Sequence, residues 1–201
     1  MTPPEPPPGP LDDTSVLDLF ERAGALRRGH FKLSSGRHSD TYLQSALVLQ
    51  WPRLAEALGA ALASRLTGTF DVVAAPALGG LMIGHEVARA LGVRFVFAER
   101  AGGELTMRRG FSVEPGERAL VVEDVVTTGG SALETARVLE AGGAVVAGLG
   151  AIVDRIPEGT ERPAGLTTLV RVDAPAWDDG VCPRCAEGTP LESPGSRRLA
   201  R

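Results

Sequence analysis

The chain has 201 residues, 43% of them apolar, which is enough for one domain with a full hydrophobic core. Acidic residues outnumber basic ones by 25 to 21, and the net charge of −4 argues against broad electrostatic binding of nucleic acid or of an anionic membrane. No apolar run reaches about 18 residues and no basic-then-apolar leader is visible, so we expect a cytoplasmic protein without a membrane span.

The order of elements predicts the fold class. Residues 1–10 hold six prolines and are expected to form a disordered tail, with a single domain over 11–201. Apolar spacing predicts helices at 15–28, 52–66, 81–91 and 131–141, and short apolar runs predict strands at 70–75, 93–98, 119–122, 145–153 and 166–172. Residues 30–49 suggest a turn at Gly36 followed by short strands. Non-alternating strands separated by helices indicate an α/β fold with a mainly parallel sheet of about five strands, flanked by helices.

In such sheets, ligands bind beyond the carboxyl ends of the strands, here 75–81, 99–113, 123–131 and 153–155. The most informative of these segments begins with two carboxylates, Glu123 and Asp124, after a buried strand. Small hydroxyl residues and glycines follow and lead into a helix, an arrangement that suits a phosphate group. The carboxylates are acceptors for sugar hydroxyls. A capped helix with no ligand is the alternative, but it would leave two partly buried carboxylates without a partner.

Residues 121–131 resemble the signature with which type I phosphoribosyltransferases bind 5-phosphoribosyl 1-diphosphate (PRPP). The resemblance implies that Glu123 and Asp124 hold the ribose hydroxyls and that 127–131 hold the 5-phosphate. The PRPP-binding set is then Glu123, Asp124, Val125, Val126, Thr127, Thr128, Gly129, Gly130 and Ser131, together with Arg100. The loop formed by Ala77, Leu78, Gly79 and Gly80 is similar to the family's diphosphate-binding loop, which can carry a lysine where Gly79 stands.

Two further segments are similar to orotate phosphoribosyltransferases. Residues 29–43 match an N-terminal lid, assigned here to 29–45, in which Tyr42 is the aromatic expected near the acceptor ring. Asp154-Arg155 matches a strand end whose arginine contacts the acceptor, and Thr127 completes the expected orotate set. A guanidinium suits the anionic, planar orotate. The alternative for the first segment is a structural turn with Tyr42 in the core. The alternative for the second is a structural ion pair between Asp154 and Arg155.

The chain departs from the family in its lysines. Lys32 is its only lysine, Ser34 stands where a lid lysine is common, and the expected mobile loop at 99–113 holds neither lysine nor histidine. Arg100 and Arg109 are the candidates there, acting with Asp124 as catalytic residues. Arginine neutralises a leaving diphosphate but does not donate a proton. The family implies Mg²⁺, for which we assign no direct protein ligand, and a homodimer whose loop 99–113 reaches the neighbouring site.

Cys182 and Cys185, with two residues between them, have the spacing of one of the two ligand pairs of a zinc site. No second cysteine pair and no histidine at zinc spacing accompany them, so a structural or disulfide role, or none, is favoured over a metal. A metal site formed by the cysteine pairs of two subunits in a dimer remains an alternative. We interpret His30, His38 and His85 as turn or surface residues.

The resemblance implies transfer of ribose 5-phosphate from PRPP to orotate, giving orotidine 5′-monophosphate and diphosphate in pyrimidine biosynthesis. Two alternatives remain. A purine or uracil phosphoribosyltransferase would share the PRPP signature but lack the lid and Arg155. A regulator that senses PRPP without catalysis would be expected to bring a nucleic-acid-binding element, against which the acidic charge argues.

Overall fold

The computed structural model describes residues 4–7, 9–33 and 35–194. The helices are α1 (Asp13–Arg22), α2 (Ala46–Leu49), α3 (Pro52–Arg65), α4 (Gly80–Leu91), α5 (Gly130–Ala141) and α6 (Pro183–Ala186), and a 3-10 turn spans Asp179–Val181. The strands are β1 (Leu26–Lys32), β2 (His38–Leu43), β3 (Val72–Pro76), β4 (Arg94–Ala101), β5 (Glu104–Met107), β6 (Arg118–Val126), β7 (Val145–Asp154), β8 (Leu166–Arg171) and β9 (Ala176–Trp177). Ser34 lies outside the described residues.

The larger sheet has six strands in the order β5-β4-β3-β6-β7-β8. Strands β4, β3, β6, β7 and β8 run parallel, and β5 is an antiparallel strand at the edge. All five residues of β3 are buried, as expected for a central strand covered on both faces. The predicted α/β class with a mainly parallel sheet is confirmed, and the sheet has six strands, five of them parallel, where about five were expected.

Helices cover both faces of this sheet. Val73, Leu120 and Val122 belong to the core shared with α1, α3 and α4. Val72 and Val121 face the opposite way and belong to the core under α5. Successive strand residues point to opposite faces, so short unbroken apolar runs supply both layers of the core.

A second, smaller sheet joins the two ends of the chain. Its order is β1-β2-β9, with antiparallel pairing throughout. A parallel bridge from Phe31 to Glu192 extends it, because the Glu192 amide donates to the His30 carbonyl at 2.8 Å and the Lys32 amide donates to the Glu192 carbonyl at 2.8 Å. The C-terminal segment therefore backs the hairpin that corresponds to the predicted lid.

The predicted first helix, 15–28, is too long at its C-terminal end. α1 ends at Arg22, where the Ala25 amide bonds to the Phe20 carbonyl and Gly24 adopts a φ of 68°. This is the hydrogen-bond pattern of a glycine-terminated helix. Leu26, whose spacing suggested helix, is instead buried in β1.

Two other boundaries differ from the prediction. The segment 99–113, expected to be a loop, begins as a hairpin in which Arg100 pairs with Leu105 across the turn at Gly102-Gly103. The strand predicted at 119–122 continues as β6 to Val126, since it pairs with β7 along its whole length. In both segments, backbone hydrogen bonds to a neighbouring strand extend the strand beyond the apolar residues that predicted it.

Residues 4–7, 9 and 10 form neither helix nor strand, and disorder of the tail 1–10 stays a prediction. Within the described part of the chain, no helix is both long and apolar enough to cross a membrane. The cytoplasmic location also stays a prediction.

Candidate active site

Glu123 and Asp124 lie near the carboxyl end of β6, inside the strand instead of after it. Burial, together with the charge of neighbouring Asp124, raises the pKa of Glu123 to about 7. Burial also raises the pKa of Asp124, offset in part by the Val125 amide and the nearby Ser45 hydroxyl. No arginine or lysine contributes to either shift. The two carboxylates are thus crowded together without a protein cation to neutralise them.

The loop after β6 exposes backbone donors at the start of α5. Gly129 has a φ of 75°, and a Cβ there would lie 2.7 Å from Cγ of Pro163, so both the backbone and the space require glycine. Gly129 gives α5 no side-chain cap, the Gly130 amide has one long contact of 3.4 Å to the Thr128 hydroxyl, and Thr127, Thr128 and Gly130 are exposed. Free amides and hydroxyls at a helix N-terminus attract an anion such as a phosphate.

The loop after β3 packs directly on β6 at Asp124. A Cβ at Gly79 would lie 2.7 Å from Oδ1 of Asp124, and one at Gly80 would lie 2.8 Å from the Val122 carbonyl oxygen. The Ala77–Leu78 peptide is cis, and Leu78 is exposed. The structure therefore brings the predicted diphosphate loop against the predicted ribose-binding strand. Any side chain at position 79 would have to displace the Asp124 carboxylate.

Arg155 directly follows the end of β7, the strand next to β6. Its amide donates to the Val126 carbonyl at 2.8 Å, so it borders the last residue of β6. Its side chain is half-buried, and its Nε is fully enclosed without a hydrogen-bond partner in the described structure. Burial lowers the pKa of Arg155. A buried guanidinium donor without a partner is costly, and an anionic ligand would satisfy it.

Asp154 does not pair with Arg155. Its carboxylate accepts from the Ile156 amide at 2.8 Å and from Arg162, and Asp154 is completely buried. The structural Asp–Arg pair considered for residues 154 and 155 therefore forms with Arg162, which leaves Arg155 free for another partner.

The remaining predicted residues make contacts elsewhere. Arg100 pairs with Glu134 of α5 at 2.8 Å, and Arg109 pairs with Glu99 at 3.0 Å. Tyr42 packs on Phe31 at a ring distance of 5.7 Å and donates from its hydroxyl to the Pro194 carbonyl at 3.4 Å. The catalytic and acceptor roles of these three side chains stay predictions.

The interpretation of the histidines is wrong for two of the three. His30 and His38 are buried, with 2% and 3% of their surface exposed, because β1 and β2 turn them toward the C-terminal segment. They meet Cys182 and Cys185, which are both free, so the chain forms no disulfide between them. Neither histidine stands at zinc spacing in the sequence, but the fold brings both of them to the two cysteines. No spacing rule in the sequence joins these residues.

Comparison with known proteins agrees with this geometry. Residues 46–178 match the family model described as phosphoribosyl transferase domain. The chain is 47% identical over 185 residues to the orotate phosphoribosyltransferase of Pelotomaculum thermopropionicum, covering 92% of this chain and 97% of the relative. It is 44% identical over 190 residues to that of Caldanaerobacter subterraneus subsp. tengcongensis, covering 94% and 100%.

Solved structures show the same fold. The orotate phosphoribosyltransferase of Mycobacterium tuberculosis H37Rv, in complex with Fe(III) dicitrate, superposes with a TM-score of 0.65 at 23% identity, over 81% of this chain and 97% of that one. The enzyme from Aeropyrum pernix superposes with a TM-score of 0.62 at 25% identity, over 78% and 93%. The family model, the near full-length relatives and the fold agree, and the chain belongs to the orotate phosphoribosyltransferase family.

Proposed function

We propose that the chain transfers ribose 5-phosphate from PRPP to orotate, giving orotidine 5′-monophosphate and diphosphate, as a step of pyrimidine biosynthesis. The observation that carries the choice of acceptor is Arg155. Among the described residues its buried Nε has no hydrogen-bond partner, and Arg155 lies one strand from the carboxylate pair. The names of the full-length relatives support the same acceptor.

PRPP would bind across the ends of β3 and β6. Glu123 and Asp124 accept hydrogen bonds from the ribose hydroxyls, and each such charged bond contributes about 1.5–3 kcal/mol. The amides and hydroxyls of residues 127–131 hold the 5-phosphate at the start of α5. The diphosphate lies against residues 77–80, where Gly79 packs closely on Asp124.

The site fits the Mg²⁺ that the family uses with PRPP. Glu123 and Asp124 offer hard carboxylate oxygens, and burial raises the pKa of both, with no arginine or lysine of the described residues contributing to either shift. When bound, Mg²⁺ neutralises charge on the diphosphate as it leaves. Substrate oxygens and water would supply most of the coordination, so we still assign no direct protein ligand.

The chemical step is displacement at C1 of the ribose, where a ring nitrogen of orotate attacks as diphosphate leaves. The attacking nitrogen gives up its N–H proton to the leaving diphosphate or to solvent, and positioning and electrostatic stabilisation carry most of the rate. Arg100 and Arg109 would neutralise the leaving group, which requires their surface ion pairs with Glu134 and Glu99 to exchange. Exposed pairs of this kind are weak, about 1 kcal/mol or less, so exchange is inexpensive.

Orotate would lie between the strand end and the lid. Arg155 binds its anionic edge, Thr127 contacts the ring from the loop after β6, and Tyr42 covers the ring from the lid.

Free thiols at Cys182 and Cys185 are typical of a reducing compartment, which supports the proposed cytoplasmic location.

The test is diphosphate release with Mg²⁺, PRPP and one base at a time. Orotate should give the highest kcat/KM, with little release for uracil, hypoxanthine or adenine. Preference for another base would favour the purine or uracil alternative. PRPP binding without diphosphate release for any base would favour the regulator.

We further propose a homodimer in which the segment 99–113 serves the neighbouring site. An apolar groove of about 450 Å³ between α2, α4 and β4 supports it, with Leu49, Leu81, Phe95 and Phe97 in its lining and Met82 exposed. Exposed apolar surface of this kind is typical of an interface. A second copy of the chain is the occupant we propose.

Mixing two variants that are each strongly impaired in a different part of the site tests the shared site. One carries Asp124→Asn and the other Arg100→Ala with Arg109→Ala. If the segment acts on the partner, one pocket of a mixed dimer has both defects and the other has none. Random exchange should then restore about a quarter of wild-type activity. If the segment acts within its own subunit, every pocket keeps a defect. An inactive mixture, with subunit exchange demonstrated, would reject the shared site.

A further inference from the structure

Four side chains from opposite ends of the chain meet beside the small sheet. His30 lies on β1 and His38 on β2, while Cys182 and Cys185 flank the start of α6. Their ligand atoms all lie within 4.8 Å of one another, and His30, His38 and Cys182 are buried. None of these residues belongs to the proposed PRPP or orotate site. Two imidazoles and two thiols form one of the common ligand sets of structural zinc.

Four of the six distances between the ligand atoms lie within about 0.4 Å of the edges of a zinc tetrahedron. Nε2 of His30 lies 3.1 Å from Nδ1 of His38, and Sγ of Cys185 lies 3.2 Å from Nδ1 of His38. Sγ of Cys182 and Sγ of Cys185 lie 3.5 and 3.6 Å from Nε2 of His30. Ordinary Zn–N and Zn–S bonds give tetrahedral edges of about 3.3 Å between two nitrogens and about 3.6 Å between nitrogen and sulfur.

In each histidine, the ring nitrogen that faces away from the cluster has an oxygen acceptor beside it, as is usual for metal-binding histidines. Nδ1 of His30 lies 2.8 Å from the Thr189 carbonyl, which only accepts, so the proton of the neutral ring is on Nδ1 and the lone pair of Nε2 points into the cluster. Nε2 of His38 faces the Asp179 carboxylate at 3.7 Å. Oxygen acceptors behind ligating histidines fix the ring and raise its basicity.

Hydrogen bonding within the cluster is a weaker explanation of this arrangement. A proton on Nδ1 of His38 would satisfy Nε2 of His30, but it would leave both sulfurs with only weak S–H contacts. A cation at the centre gives all four groups a strong partner. We propose that His30, His38, Cys182 and Cys185 bind one structural Zn²⁺, in a reaction that releases the two thiol protons to solvent.

Such a site would clamp the N-terminal hairpin to the C-terminal segment. The His30–Cys182 connection spans 152 positions of the chain, so the clamp closes a long loop. β9 has only two residues and pairs with β2 at two positions, which is little backbone pairing to hold the segment by itself. Zinc would therefore stabilise the small sheet and hold the lid hairpin in place.

The experiment measures metal in the tag-free, full-length protein by mass spectrometry after gel filtration. Wild type should carry about one zinc per chain. Cys185→Ser changes an exposed side chain and is therefore the variant with the least risk to folding. Both Cys185→Ser and His38→Ala should lose most of the zinc. His85→Ala is the matched control, because His85 is exposed and outside the cluster, and it should retain the metal.

Two further measurements do not depend on any variant. Cobalt added to chelator-treated wild type should give the intense visible bands of a tetrahedral site and a thiolate charge-transfer band. Chelation should also lower the melting temperature by about 5–10 °C, and zinc should restore it. Zinc at background level in wild type grown with zinc, together with no cobalt spectrum, would overturn the proposal. Equal zinc in Cys185→Ser and wild type would also overturn it.

Discussion

The candidate sites at the two sheets differ in how far apart along the chain their residues lie. In the six-stranded sheet, the candidate catalytic groups come in short runs, residues 77–80 and 123–131 and Arg155, each at the end of a parallel strand. In the three-stranded sheet, the candidate zinc ligands come from two hairpin strands and a segment about 150 positions later. A phosphate site at a strand–loop–helix junction is local in sequence, whereas a clamp between chain ends is not.

The same contrast extends to stability. The large sheet is held by apolar cores on both faces, so its site does not need a ligand to form. The small sheet has few fully buried apolar residues, with Phe31 the largest, and it depends on main-chain bridges and on the cluster of histidines and cysteines. Substitutions at the first site should therefore change activity more than folding, and substitutions at the second should change folding more than activity.

The largest expected effect is at the carboxylate pair. Asp124→Asn and Glu123→Gln should each lower kcat/KM for PRPP about 10- to 150-fold, since each removes a charged acceptor for a ribose hydroxyl. Steady-state kinetics with a melting curve for each variant measure this. Glu158→Gln, which changes an exposed carboxylate, is the control. Unchanged PRPP kinetics in both folded variants would remove the ribose assignment.

A smaller effect concerns stability and pH. The pKa of Glu123 is raised in the folded protein to about 7 from 4.5, so the folded state binds this proton more tightly than the unfolded state. The stabilisation is complete below the unfolded pKa and is lost as the pH rises through about 7. Because the carboxyl is partly exposed, we expect a loss on the order of 1–2 kcal/mol.

Glu123→Gln should remove this pH dependence. Urea unfolding at pH 5 and pH 8 would compare wild type, Glu123→Gln and Glu158→Gln. The free energy of unfolding should fall less between the two pH values in Glu123→Gln than in the other two proteins. An equal fall in all three would mean that Glu123 titrates normally, and would weaken the picture of a crowded, unneutralised pair.

Much of the large sheet was predictable because its signals are local. Unbroken apolar runs indicated parallel strands, and the carboxylates, hydroxyls and glycines of 123–131 indicated the ligand site. The close packing of Gly79 on Asp124 was not predictable, since it depends on how the loop after β3 meets the end of β6. The lack of a partner for Arg155 likewise depends on Asp154 pairing with Arg162 instead.

The errors share one physical cause, which is pairing or contact between residues that the apolar pattern of the sequence does not relate. Leu26 fits a helical pattern, but it pairs with Leu43 in a hairpin. Arg100 lies in a polar stretch, but it pairs with Leu105 across a tight turn. His30 and His38 carry no recognisable spacing, and their meeting with Cys182 and Cys185 depends on the C-terminal segment crossing the hairpin. Sequence patterns describe neighbours along the chain and miss such contacts.

The central claim is that Arg155 recognises the acceptor beside an independent PRPP site, and Arg155→Ala tests it most directly. The orotate KM should rise about 10- to 150-fold, while the PRPP KM stays within roughly twofold. Unfolding should be no easier than in wild type, because the change removes a partly buried charge without a partner. Arg53→Ala, at an exposed arginine, is the matched control. An equal rise in both KM values, or an unchanged orotate KM, would contradict the account.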